Sequence, residues 1–203
     1  MAKAGLVKVP RFLGKRSEDR FELHGFCDAS SKAFLAVVYV RLLQDDNAIV
    51  TLLASKTKFA PVKTLTIPRL ELCTAVLLCK LVCHIRELDF LKECPIHLWS
   101  DSTVVLAWQN SSAHLWLSFV AHRIAEIQMI IGITLMSKLI QLLAGVFCVL
   151  DSSLWWYEPL FLSDNSQPFS VVQSHFDSSE CPENCKVVHQ VCRDTNDEWE
   201  IIS

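Results

Sequence analysis

The chain lacks a surplus of positive charge. Nineteen Lys and Arg stand against 22 Asp and Glu, for a formal net charge of −3. Binding by phosphate neutralisation draws on Lys and Arg. The balance therefore argues against a free-standing nucleic-acid-binding protein, although a domain that borrows basic surface from its neighbours escapes that objection. The basic residues that do cluster, Lys3, Lys8, Arg11, Lys15, Arg16 and Arg20, read as a solvated linker. The chain also lacks the pattern of a secreted disulfide scaffold. Its nine Cys are an odd number with no signal peptide ahead of them. Cys73, Cys79 and Cys83 share one apolar helical stretch, where they read as small buried hydrophobes. A reducing compartment, cytoplasmic or nuclear, fits that usage.

A persuasive membrane span is missing too. Residues 130–150 are mostly apolar with one charge, Lys138, and their length suits a span. Central Lys138, Gln141 and Ser137 count against it, a Lys at mid-membrane costing about 2.5–3.5 kcal/mol. No strong basic flank sets an orientation.

What is present is enough apolar residue for a core. The chain is 51% hydrophobic and 20% charged over 203 residues, which suits one domain and a tail. Three antiparallel strands are expected at 21–28, 34–43 and 49–58, with Gln44-Asp45-Asp46-Asn47 as the turn between the last two. A long helix is expected at 68–89, with Thr66 as N-cap and Pro68 in the first turn. Its apolar stripe is Leu70, Cys73, Val76, Leu77, the Lys80 stem, Leu81 and His84. A fourth strand at 96–100, a short helix at 103–109 and an amphipathic helix at 114–128 follow. Strands first, then helix, strand and helices, is an α+β pattern with a mixed sheet.

Three acids stand out against this frame. Asp28 ends the apolar run of His24-Gly25-Phe26-Cys27-Asp28-Ala29-Ser30, and Asp101 ends Ile96-His97-Leu98-Trp99-Ser100-Asp101-Ser102. Glu71 is the sole acid from the start of the long helix to Glu87. Each alone has a bland role, a turn cap for the two Asp and a surface acid for Glu71. Together, two strand-end Asp and a helix Glu are the hard oxygen ligands that a two-metal phosphodiester-cleaving site requires. His97, His114 and His122 invite catalytic roles but are assigned none, since a lone His is more often structural.

The motifs resemble the ribonuclease-H-like segment of BEL/Pao-type retrotransposon polyproteins, a family often filed as Pao retrotransposon peptidases. The matching residues are His24 to Ser30, Ile67-Pro68-Arg69-Leu70-Glu71-Leu72, Trp99-Ser100-Asp101-Ser102-Thr103-Val104-Val105-Leu106-Ala107-Trp108, and Phe119-Val120-Ala121-His122-Arg123-Ile124-Ala125-Glu126-Ile127-Gln128. The resemblance implies a ribonuclease-H-like mixed sheet with flanking helices. It implies that Asp28, Glu71 and Asp101 are catalytic and hold two Mg²⁺ ions. The substrate it implies is the RNA strand of an RNA–DNA hybrid, and the partners are the reverse transcriptase and integrase regions of the parent polyprotein. On this reading 1–20 is the linker from the reverse transcriptase side, 21–129 the nuclease-like domain, and 151–203 a polar tail resembling the region before the integrase. The aspartic peptidase suggested by the filing name finds no support, because the Asp-Ser motifs match the nuclease.

Residues 130–150 depart from the family. There the family has a last strand with a Trp-x-x-Val pattern, then Asn-Pro-Ala-Asp carrying a fourth metal-site acid, and this sequence has neither. Codons read from the third base of each codon restore the pattern. Ile131–Gly132 then permits Trp, Thr134–Leu135 Val, Ser137–Lys138 Lys, and Leu139 to Leu142 Asn-Pro-Ala. The other shifted frame is closed, since Met129 followed by Ile130 forces a stop. The segment thus reads as frame-shifted, with the last strand or helix disrupted. The expected function is a degenerate RNase H domain. The alternatives are an inactive domesticated remnant acting as a binding module and a membrane-associated protein with a span at 130–150. A zinc module on Cys181, Cys185, His189 and Cys192 is a further rival, although a chance cluster is the commoner origin of such spacing. Coding DNA across 125–155 is expected to carry the Trp and Asn-Pro-Ala codons in the shifted frame. Their absence on sequencing rejects the frame-shift.

Overall fold

The computed structural model describes residues 20–44, 47–134, 140–144 and Leu162. Three strands come first: β1 (Arg20–Ala29), β2 (Ala33–Gln44) and β3 (Asn47–Phe59). They form an antiparallel meander because β1, β2 and the first half of β3 are apolar and tight connections follow β1 and β2. Ser30 closes the first, its backbone N–H donating to Ala33 O at 2.8 Å and its hydroxyl accepting from Ala33 N at 3.2 Å. The second closes where Gln44 pairs with Asn47, at the expected turn. The β2–β3 register shifts between Val38 and Tyr39.

Helix α1 (Ile67–Ile85) starts at the expected Pro-containing turn. Thr66 stands at its N-cap in extended backbone, but its side chain makes no capping bond. The helix ends four residues earlier than expected, and its buried face also differs. Leu72, Ala75, Cys79 and Val82 are buried, whereas Lys80 and His84 are exposed. The reason is that α1 lies between β1 and β2 on one side and α3 on the other, so it buries a face wider than one stripe. Then come β4 (Ile96–Ser100) and α2 (Thr103–Gln109), both as expected, and α3 (Ser118–Thr134), four residues later in its start than the sequence suggested. A short 3-10 turn, Ala113–Leu115, takes up the difference.

The sheet order is β3-β2-β1-β4-β5, with β4 parallel to β1 and β5 (Ile140–Ala144) parallel to β4. This antiparallel meander, extended by two parallel strands and flanked by helices, is ribonuclease-H-like. Strand β5 corrects the expectation that the last strand is disrupted. The segment has no period-2 alternation, and a parallel strand needs none: such strands read as continuous apolar runs. Without β5, β4 would present an open edge, and an apolar segment within reach pairs with it. The strand forms at 140–144, not at the 130–136 where the family's pattern would place it. The rival membrane span over 130–150 is not one helix, because α3 stops at Thr134 and strand follows. Among the described residues no helix is long and apolar enough to cross a membrane.

Alternation along β1 divides the interior. Phe21, Leu23 and Cys27 face the main core with α1, and so do Leu98 and Trp108. Gly25 shares that face. A Cβ there would meet Leu78 Cδ1 at 2.7 Å, so the absence of a side chain lets α1 approach the sheet closely. The opposite face carries a smaller cluster of Phe26, Leu35, Val37, Tyr39, Val50, Trp99 and Leu162.

Candidate active site

Strands β1 and β4 run parallel in a register that pairs Cys27 with Ser100 at its last step. Asp28 and Asp101 are the next residues on each chain, so they leave the sheet side by side, about one strand spacing (~5 Å) apart in backbone. Burial pushes the Cys27 thiol pKa up, Cys79 adds to it, and Asp101 and Asp28 contribute least. Asp28 is almost buried and Asp101 reaches solvent.

Glu71 enters from the start of the second turn of α1. Its Oε2 accepts a 2.6 Å hydrogen bond from Ser102 Oγ, the residue after Asp101. That same hydroxyl accepts from Val105 N at 3.2 Å and so caps α2. One Ser thus fixes where α2 starts and where Glu71 points. A turn further along α1, Thr74 Oγ1 donates to the Asp28 carbonyl at 3.2 Å. The three predicted acids are therefore tied to one end of the central strands: Asp28 through Thr74, Glu71 through Ser102, and Asp101 by sequence adjacency to Ser102. Asp28 Oδ1 accepts from Ala29 N at 2.6 Å, whereas the turn proper is closed by Ser30. Ser102 and Thr74 escaped the sequence reading, although Ser102 stands at a helix N-cap position that could have been flagged.

Desolvation raises the Asp101 pKa above the ordinary carboxylate value, against a backbone hydrogen bond that lowers it. Three carboxylates at one end of these strands are an all-oxygen donor set, which fits Mg²⁺ in chemistry.

A second polar cluster, unforeseen in the sequence, lies on the other half of β1. His24, fully buried, sits 3.4 Å from Glu22 Oε2 through Nε2 and accepts from Trp99 Nε1 at Nδ1, also 3.4 Å. Arg41 NH1 donates to Glu22 Oε2 at 2.9 Å, and its Nε donates to Leu162 O at 2.8 Å. His97 stacks on His24 with ring centroids 4.7 Å apart. The hydrogen bond to His24, then Arg41, holds the Glu22 carboxyl at about 2 against the desolvation that would raise it. Burial lowers the pKa of His24 and brings that of His97 down to about 4. The other two histidines considered, His114 and His122, are exposed on the 3-10 turn and on α3.

These shifts set an acid limit. Below pH 6.5 the unfolded chain protonates His97 while the folded chain resists down to about 4. Stability therefore falls as pH drops through that window, by about 2–3 kcal/mol. Glu22, depressed from 4.5 to about 2, adds a further loss as pH falls from 4.5 toward 2. Urea midpoints measured with chelator present should decline steadily from pH 7 to 4, and His97→Gln should flatten that decline. A midpoint independent of pH over this range contradicts the buried neutral imidazole.

Residues 2–102 match the family profile described as the Pao retrotransposon-like RNaseH-like domain. This segment of the chain belongs to that family. The Pao-type match takes in all three acids and ends at Ser102, the residue that joins Glu71 to α2. No curated protein matches the chain. Among solved structures it is similar to LC11-RNase H1, isolated from compost by a metagenomic approach, at 10% identity and a TM-score of 0.41, covering 62% of this chain and 84% of that one. The same enzyme in complex with an RNA/DNA hybrid aligns at 10% identity and TM-score 0.41, over 62% and 85% of the two chains. RNase H1 of Halobacterium salinarum NRC-1 aligns at 13% identity and TM-score 0.35, over 61% and 86%.

Proposed function

We propose that this chain is the RNase H segment of a retrotransposon Pol polyprotein and that it engages RNA–DNA hybrids at the Asp28, Glu71 and Asp101 site. The observation that carries the reading is the β1–β4 register, which sets Asp28 beside Asp101 within a family-matched span. The three carboxylates would hold Mg²⁺, whose chemistry there is activation of water and neutralisation of the leaving oxygen. The chain's own part is positioning. Ser102 fixes Glu71 by hydrogen bond, and Thr74 anchors the end of β1 to α1. Hybrid recognition would proceed through duplex shape and 2′-hydroxyls. The reverse transcriptase and integrase regions of the polyprotein would be its covalent neighbours.

The activity proposed is feeble. The family's fourth acid follows Asn-Pro-Ala, and the sequence has no such motif. Loss of one positioned charge costs about 10²–10³ in rate. The test is Mg²⁺-dependent cleavage of an RNA–DNA hybrid by wild type beside Asp101→Asn. At most weak cleavage is expected, lost in the variant. Robust wild-type turnover abolished by Asp101→Asn shows that three acids suffice and overturns the degenerate reading. Weak cleavage unchanged by Asp101→Asn overturns the site. A chain that binds hybrid without cutting it supports the remnant reading, a binding module on the same fold. The four-residue Cys181, Cys185, His189 and Cys192 set lies outside the described residues.

A further inference from the structure

We propose that Glu22, His24 and His97 form a binding site for one first-row transition-metal dication, zinc above all, on the sheet face opposite α1. The site is separate from the acidic end. Glu22 and His24 lie four or more residues back along β1 from Asp28, about 13 Å at strand rise. The proposal therefore stands or falls apart from the nuclease reading.

The backbone builds the ligand set. Glu22 and His24 are alternate residues on β1 and project to the same face. The parallel register pairs His24 with His97 on β4, which brings the third ligand alongside without any loop. One donor atom from each of the three lies within 4.8 Å of the other two. The two rings stack nearly parallel, 18° apart with centroids at 4.7 Å, so a rotation about the side-chain torsions is what brings both nitrogens to one ion. Among the described residues this is the group of three ligating side chains that closes so tightly. Two imidazoles and a carboxylate form a donor set that zinc uses in proteins, with a fourth position left for water. Imidazole nitrogen does not suit Mg²⁺ or Ca²⁺, so the two sites differ in the metal they select.

One outer-shell group is already in place. Arg41 NH1 fixes the Glu22 carboxylate at 2.9 Å. Such partners orient metal ligands in established sites. The protons balance. Because Nδ1 of His24 accepts from Trp99, the ring proton is on Nε2 and is donated to Glu22. Coordination through Nε2 moves that proton to Nδ1, so the imidazole stays neutral and the Trp99 bond breaks. The Trp99 N–H and the new His24 Nδ1–H are then two buried donors facing each other, so the indole must turn to another acceptor. Trp99 therefore reports on the site. Arg41 places a positive charge nearby, but Glu22 and the Leu162 carbonyl engage it. A metal here would clamp β1 to β4, the strands that lead to Asp28 and Asp101.

The test uses the full chain with Cys181→Ser, Cys185→Ser and Cys192→Ser, which removes the three thiols of the Cys181, Cys185, His189 and Cys192 set. Zinc is titrated by calorimetry and Co²⁺ by absorption. The expected result is one equivalent bound, a cobalt spectrum without thiolate charge-transfer bands, and a change in tryptophan fluorescence. His97→Gln and Glu22→Gln should each weaken binding more than about 100-fold, beyond the 10–100-fold of outer-shell changes, while Asp101→Asn leaves it intact. If a variant misfolds, the imidazole nitrogen resonances of the wild-type histidines decide, since those of His24 and His97 must shift with one equivalent of zinc. Absence of stoichiometric binding, unmoved resonances, or binding indifferent to His97→Gln overturns the proposal and leaves the cluster as a hydrogen-bonded strand link.

Discussion

Trp108→Ala is expected to lower the unfolding free energy by about 3–5 kcal/mol, the range for removing a large aromatic from a packed core. Trp108 is the last residue of the Trp99-to-Trp108 motif and is fully buried. Its ring meets Trp116 edge-on, with centroids 6.4 Å apart, and its carbonyl accepts from Trp116 Nε1 at 3.2 Å. The side chain thus joins α2 to the turn that leads into α3. Truncation opens a cavity that α2, seven residues long, cannot close by itself. The consequence reaches the site, because α2 starts at Ser102 and Ser102 holds Glu71. Chemical denaturation followed by far-UV circular dichroism measures the loss. A change under 1 kcal/mol shows that the Trp108 pocket collapses freely and that the core is not built around it.

The reason so much of the fold is legible lies in local chemistry. The meander is spelled by apolar runs broken at Ser30 and at Gln44-Asp45-Asp46-Asn47, and α1 is announced by Pro68. The strand-end position of Asp28 and Asp101 follows from where each apolar run stops. What local chemistry does not carry is pairing. The side-by-side exit of the two Asp residues depends on a parallel register between segments some 70 positions apart, and only the family resemblance supplied it in advance. The same dependence hid the Glu22, His24 and His97 cluster. His97 was visible as an isolated histidine, and its partner was one strand away. Strand β5 is hidden in the sequence for a related reason, since an apolar run carries no sign of the neighbour it will pair with. The buried face of α1 is wider than one apolar stripe because the helix is covered on two sides.

Arg41→Met is expected to destabilise the chain by about 3 kcal/mol, and Glu22→Gln in the same background is expected to restore more than half of that. The guanidinium is buried on β2, where it donates to Glu22 Oε2 and to the Leu162 carbonyl. Removing it leaves a largely buried carboxylate without its cation, and breaking one side of a buried pair typically costs about 3–5 kcal/mol. The side chain of Glu22 keeps 20% exposure, which places the expected loss at the low end. Glu22→Gln removes the stranded charge while its amide oxygen still accepts from His24, so the penalty for desolvating an unpaired anion disappears. The unsatisfied Leu162 carbonyl persists in the double variant and limits the recovery. Paired denaturation curves of the two single variants and the double, with chelator present, give the coupling directly. Losses that simply add would show that Arg41 acts through packing of its stem, not as the counter-ion that keeps Glu22 ionised beside His24.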